Sequence, residues 1–230
     1  SFTNAGDLTV TNNGTGNLTV SGTVTNGEDA SITNNGNKLL LSGTVDNANN
    51  LEITNNGKGG LEATETSNIL NGGNLYVTNT AGDMTMSGNV ENRGLLARIL
   101  NKGKNATIGG TINNANDLEI TNNGSGALVE NATITNGNDA TITNAGTDMT
   151  VGGSITNGND LTIANNGKGA MVVDSAIDNE HDTTITNVGT SMLVAGVIDN
   201  ANDLQVLNKG TDADLTGTII NGNNLLVEND

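Results

Sequence analysis

The sequence predicts an all-β fold, a right-handed parallel β-helix (β-solenoid) of about eleven coils of 21–22 residues, with three short strands in each coil. Three observations carry this prediction: a phrase repeated along the whole chain, period-two alternation of aliphatic and polar residues within it, and a scarcity of aromatic residues. The 230 residues include no Pro, Cys or Trp, and Phe2 and Tyr76 are the only aromatics. Globular cores lean on aromatic side chains because each buries a large area. A core without them must be narrow and filled with Leu, Ile, Val, Met and Ala.

The repeated phrase reads Asp-Leu-Thr-Val-Thr-Asn at 7–12, Asp-Leu-Glu-Ile-Thr-Asn at 117–122 and Asp-Ala-Thr-Ile-Thr-Asn at 139–144. Its last residue forms a column at Asn12, Asn34, Asn55, Asn79, Asn101, Asn122, Asn144, Asn165, Asn187, Asn208 and Asn229. Successive steps are 22, 21, 24, 22, 21, 22, 21, 22, 21 and 21, so the alternation suggests a unit of two coils, and the step of 24 an insertion around Glu65 to Asn68. A second column holds Asn4, Asn26, Asn47, Asn71, Asn92, Asn114, Asn136, Asn157, Asn179, Asn200 and Asn221. Two positions before each of its members from Asn26 onward stands Val or Ile, as at Val24, Ile112 and Ile155.

Each coil therefore divides into three strands. The first carries alternating inward residues such as Leu161 and Ile163 and ends at Asn165. The second follows a Gly turn, as in Met149 and Val151, and the third is short, as in Ile155 leading to Asn157. Alternation with period two marks strands with one buried face, and the crowding of Thr, Asn, Gly and β-branched residues disfavours helix. One coil cannot bury its own apolar face, whereas like coils stacked in register can. At about 4.8 Å per coil the stack makes a rod roughly 50 Å long. The whole of 1–230 is read as one solenoid domain, a segment of a longer chain or a filament subunit, because both ends fall within a repeat.

The Asn columns are expected to supply turn geometry and to bond to one another along the rod. A Gly column two residues after the first Asn (Gly14, Gly36, Gly57, Gly103, Gly124, Gly146, Gly167, Gly189, Gly210) is expected to supply positive φ. A third column, five residues before the first Asn, holds Asp or Asn in every coil but one, where Leu96 stands. From 117 to 203 five consecutive coils place Asp117, Asp139, Asp160, Asp182 and Asp203 in one row. Stacked like charges repel. The row is expected to bond backbone groups as Asp does in turns; the alternative is a row of Ca²⁺ sites, since Ca²⁺ takes carboxylate and carbonyl oxygens. No other cofactor is expected.

The net charge of −17 disfavours nucleic acid and anionic membrane surfaces, and no apolar run reaches the length of a membrane span. His181 is the only His, so no zinc site with His or Cys partners can form. No pair of carboxylates is marked as catalytic, and no Gly-rich stretch leads into a Lys-bearing helix; the chain is read as a non-enzyme. Segments 61–72 and 92–101 depart most from the repeat, and departures of this kind map to surface loops where binding often sits. Glycosylation triplets at Asn13, Asn17, Asn105, Asn123 and Asn131 follow from composition. Thr-x-Thr pairs such as Thr141 and Thr143 face outward, but Glu52, Glu119 and Asp178 interrupt them, which suits a solvated face.

Phrases such as Gly-Ser-Ile-Thr-Asn-Gly-Asn-Asp-Leu-Thr-Ile at 153–163 make the chain resemble the β-helical shaft of filamentous-haemagglutinin-like exoproteins, along essentially its whole length. The resemblance implies a secreted or cell-surface protein of a Gram-negative bacterium, exported by a two-partner or autotransporter route. It implies a role in adhesion, biofilm or cell contact, with a host or bacterial surface receptor or glycan as partner. No binding residue of that family is matched, and its N-terminal secretion domain does not occur in this sequence. The alternative is an extracellular filament subunit whose partner is itself, stacked end to end. A carbohydrate-binding solenoid is a further alternative.

Overall fold

A computed structural model describes residues 1–230 as a parallel β-solenoid of about eleven coils, with thirty-two strands and no helix. Three sheets run its length, two of eleven strands and one of ten, and every strand pairs in parallel with its counterparts one coil before and one coil after. A representative coil consists of β21 (Met149–Val151), β22 (Ser154–Asn157) and β23 (Leu161–Asn165), one strand in each sheet. Register is kept residue for residue: Ile155 lies between Ile134 and Ile177, and Ile163 between Ile142 and Ile185.

Alternation sorts the side chains. In that coil Met149, Val151, Ile155, Leu161 and Ile163 point inward and are almost wholly buried. Repetition of this set produces one hydrophobic core of 42 buried residues. Neither aromatic belongs to it: Phe2 is exposed and Tyr76 lies outward, half-buried. Dispersion and burial are thus supplied by aliphatic columns, each residue resting on its equivalent above and below.

The inner edge of this core is polar. Asn12 donates to Asn34 Oδ1 at 2.7 Å, Asn34 to Asn55 at 2.8 Å, and so on without a gap to Asn208 and Asn229 at 2.6 Å. The second column runs in the same way from Asn4 to Asn221, with bonds of 2.7–3.1 Å. All these bonds point in one direction, from each coil to the next in sequence. Within its own coil most of these side chains also close the turn that follows, though Asn92, Asn114 and Asn200 do not. Asn165 Nδ2 donates to the Gly169 carbonyl, and its Oδ1 accepts from Gly167 N–H. Both amide protons and both lone-pair directions of Asn165 are thereby used, and the residue is fully buried at no unmet polar cost.

The asparagines do this in ordinary extended geometry: no residue other than Gly has positive φ. The Gly column departs from expectation in the same respect. Positive φ occurs only at Gly60, Gly82, Gly110 and Gly153, none of them in the column. The column glycines are required by close approach instead. A Cβ at Gly57 would overlap the carbonyl of Asn37 in the coil before. Stacking at the spacing of a parallel sheet leaves no room there for a side chain.

Strand bounds explain the alternation of coil lengths. The turn after the first Asn column has five residues at 13–17, 56–60, 123–127 and 166–170, and four at 35–38, 80–83, 102–105 and 145–148. Every five-residue turn carries a second Gly, at Gly16, Gly59, Gly126 and Gly169. The step of 24 is a five-residue turn plus two extra residues within 64–67, where Leu61–Ala63 and Asn68–Asn71 are four residues apart rather than two. That insertion is closed by Ser67, whose N–H and hydroxyl both donate to the Thr64 carbonyl. The irregularity at 92–101 is one added residue in the turn before Leu96–Asn101, after which the register resumes with Ala97 on Leu75.

The inner Asn needs a donor as well as an acceptor, whereas the outer acidic column needs only an acceptor. Asn165→Asp is therefore expected to destabilise the rod by about 3–5 kcal/mol in urea denaturation, through a buried charge facing lost donors. Asp139→Asn is expected to change stability by less than about 0.5 kcal/mol.

Candidate functional site

The five aspartates of the acidic row stand in successive coils, as their spacing predicts, at the turn leading into the sheet that contains Leu161–Asn165. Their repulsion is met by donors. Asp139 Oδ1 accepts from Asp160 N–H at 3.2 Å and from Asn159 Nδ2 at 2.6 Å. Asp182 Oδ1 accepts from Asp203 N–H at 3.1 Å and from Asn202 Nδ2 at 2.6 Å. Asp117 accepts from Asn138 Nδ2 at 2.6 Å, and Asp203 from Asn224 N–H at 3.1 Å and Asn223 Nδ2 at 2.8 Å. The backbone bonding anticipated for this column is present, but it reaches to the next coil rather than to local residues. The next coil needs only an Oδ1 acceptor, which Asn50 and Asn74 supply as well as Asp does, so they stand in the same column. Where Leu96 interrupts it, Asp117 N–H turns to the Leu95 carbonyl instead.

One rung differs chemically. The residue before the acidic column is Asn at 138, 159, 202 and 223, but His181 takes that place above Asp160. Its Nδ1 lies 2.5 Å from Asp160 Oδ1 and 3.9 Å from Asp182 Oδ2. The three side chains each offer a ligating atom, all within 4.8 Å of one another, at an exposed to half-exposed position. The hydrogen bond to Asp160 raises the pKa of His181; burial opposes the rise, and the charges of Asp182, Asp160 and Asp139 add to it. No Lys or Arg pairs with the row: the other ion pairs are Lys38 with Glu62, Arg93 with Glu91 and Arg98 with Glu119.

A second singular position lies inside the core. Glu130 projects inward between Ile108 and Val151 and is fully buried. Its Oε1 accepts from Ala132 N–H at 2.6 Å, while Oε2 has no partner. Burial drives its pKa from 4.5 up to about 8, against a smaller lowering by the Ala132 bond, so the carboxyl is protonated at neutral pH. Sequence reasoning did not single out Glu130; aligning the second strand of each coil reveals it, since Ile108 and Val151 occupy its column. Thr183 similarly replaces an inward aliphatic residue and is satisfied by donating to Asn200 Oδ1 at 2.7 Å.

The outer surface offers shallow clefts. One, about 460 Å³, crosses four coils where small Thr9 and Ser31 give way to Glu52 and the ring of Tyr76, with Asp7, Asp29, Asn50 and Asn74 along one side. The inserted residues 64–67 and the exposed Leu95 stand out from other parts of the rod. Asn13, Asn17, Asn105, Asn123 and Asn131 are all exposed. No helix is long and apolar enough to cross a membrane.

Together these features define a β-solenoid repeat protein with a polar inner ladder and an acidic outer row. No protein-family model matches the chain, and neither a curated protein nor a solved structure matches it.

The buried carboxyl makes stability pH-dependent in a defined sense. Its folded pKa lies above the unfolded value, so its favourable contribution is complete below about pH 4.5 and is lost as pH rises through about 8. Between those values stability is expected to fall by about 1.4 kcal/mol per pH unit relative to Glu130→Gln, which keeps the acceptor for Ala132 but does not titrate. Parallel denaturant titrations of both proteins at pH 5, 7 and 8.5 measure the difference. A constant gap across that range would contradict the assignment.

Proposed function

We propose that this chain is the structural shaft of a secreted or surface-exposed bacterial exoprotein, serving adhesion, biofilm or cell contact by holding other parts away from the surface. The observation that carries the reading is the pair of Asn ladders, unbroken over eleven coils. They give the coils one repeated interface, and a repeated interface produces length and stiffness rather than a single enclosed site. Its exterior, by contrast, varies from coil to coil. The lack of Cys and the net charge of −17 support export as an unfolded, soluble chain. The resemblance to filamentous-haemagglutinin-like shafts supports the same class. A receptor or glycan contact on such a shaft would fall on the variable exterior, with the cleft at Tyr76 and the insertion at 64–67 the first regions to test.

The polarity of the ladders favours a second reading, self-stacking. Each coil offers Asn amide donors on one face and Asn oxygens on the other, so two exposed coil faces of separate copies are complementary. Concentration-dependent fibres in electron micrographs would support this reading over the shaft.

A shaft is modular. Deleting the 43 residues 123–165 removes two coils and joins Asn122 to Asn166, which restores a five-residue turn. Small-angle scattering is expected to show a rod shortened by about 10 Å with a retained cooperative melt. Displayed on a bacterial surface with a terminal epitope, the shortened rod is expected to present that epitope less accessibly to bead-bound antibody. Unchanged presentation would count against a spacer role.

A further inference from the structure

We propose that Asp160, His181 and Asp182 form a binding site for a zinc-class divalent ion that clasps two adjacent coils. Asp160 belongs to one coil, and His181 and Asp182 to the next. His181 is the only imidazole in the chain, and it stands where the flanking rungs carry Asn159 and Asn202. An Asn there would serve the Asp below equally well as a hydrogen-bond donor, as Asn159 does for Asp139 and Asn202 for Asp182. What the imidazole adds is a nitrogen that can coordinate once an ion displaces the proton it shares with Asp160 Oδ1.

The distances suit coordination. Ligands about 2.0–2.2 Å from a zinc ion lie roughly 3–3.5 Å from one another in tetrahedral or octahedral arrangement. His181 Nδ1 and Asp160 Oδ1, hydrogen-bonded at 2.5 Å, need to open by less than about 1 Å to reach that range. Asp182 Oδ2, 3.9 Å from Nδ1, needs to close by about as little, and all three ligating atoms lie within 4.8 Å of one another. Asp182 retains Oδ2 for the ion, because Oδ1 is held by Asp203 N–H and Asn202. The side chains of Asp160, His181 and Asp182 are 53%, 49% and 43% exposed, so water can complete the shell on the open side. Asp139 and Asp203 in the neighbouring coils add negative potential, and no Lys or Arg neutralises the row. Imidazole with carboxylates selects Zn²⁺, Ni²⁺ or Cu²⁺ over Ca²⁺, which takes oxygen ligands only.

The repeat itself supplies the control. His181→Asn replaces the ring with the side chain of the neighbouring rungs, so the fold is expected to persist, checked by an unchanged melt without metal. Calorimetric titration of the 230-residue chain with Zn²⁺ is expected to show one ion per chain, with affinity reduced at least tenfold in His181→Asn and in Asp160→Asn. Zn²⁺ is expected to raise the melting temperature of the parent chain and not of His181→Asn. Because there is one His, its imidazole C–H signals are resolved in proton spectra and are expected to shift on adding Zn²⁺. Three results would overturn the proposal: no binding, equal binding by parent and His181→Asn, or Ca²⁺ competing on equal terms. The latter two would assign the affinity to the carboxylate row alone.

Discussion

The structure depends on one interaction, the amide-to-amide hydrogen bond between asparagines one coil apart. A side chain buried at a strand end has no water to satisfy it, and each unmet donor or acceptor would cost on the order of 1–3 kcal/mol. The Asn amide solves this with two protons and one doubly accepting oxygen: one proton and one lone pair serve the neighbouring coils, the others serve the following turn. No other small side chain has that complement. Asp lacks the donors, Ser and Thr lack the reach for two acceptors, and Gln adds a methylene that a filled core excludes. Because every bond points the same way, the amide dipoles add along the rod, and each bond polarises the next.

The same logic read outward explains a looser rule. In the column containing Asp139 and Asp160 the carboxylates accept a backbone N–H from the next coil and donate nothing in return, while Asn50 and Asn224 in the same column donate to the Asp before them. Any side chain with an Oδ1 atom fits, so Asp and Asn interchange there, and even Leu96 is tolerated because Asp117 N–H finds a backbone carbonyl. Strictness in a column thus measures how many hydrogen-bond roles its residue fills, combined with how completely it is buried. The rare substitutions follow this measure. Thr183 enters the core by borrowing a ladder oxygen, whereas Glu130 enters with one oxygen unserved and keeps a proton instead.

Much of this was legible in the residues. The columns defined the three strands, their order, the register and the ladder contacts, since a stacked repeat turns sequence spacing directly into spatial adjacency. The turn at 64–67 was legible to within a residue because a step of 24 has only one explanation in a chain of 21 and 22. The role of the Gly column was misjudged for a physical reason. Positive φ is a property of one residue, but crowding between Gly57 and Asn37 belongs to two residues in different coils. His181 and Asp160 were missed as a pair for a related reason. Each looked unexceptional within its own coil, and only the stacking of the position before Asp182 over the acidic column of the previous coil brings them together.

A fold held by one repeated interface has a consequence for where function can reside. Inward positions are fixed by contacts to two neighbours, so a change there is felt three coils deep, as the isolation of Glu130 among aliphatic residues illustrates. Outward positions touch solvent and a single lateral neighbour on each side, and there the chain varies freely: Thr9, Ser31, Glu52, Tyr76, Arg98 and Glu119 succeed one another in one outward column. Recognition chemistry can therefore be written on the rod without affecting its stability, provided it stays on the outer face and respects the turn lengths. The acidic row and the His181 rung obey that condition. They sit on the outside of a turn whose backbone is already satisfied, so a ligand bound there would add to the stack without being needed for it.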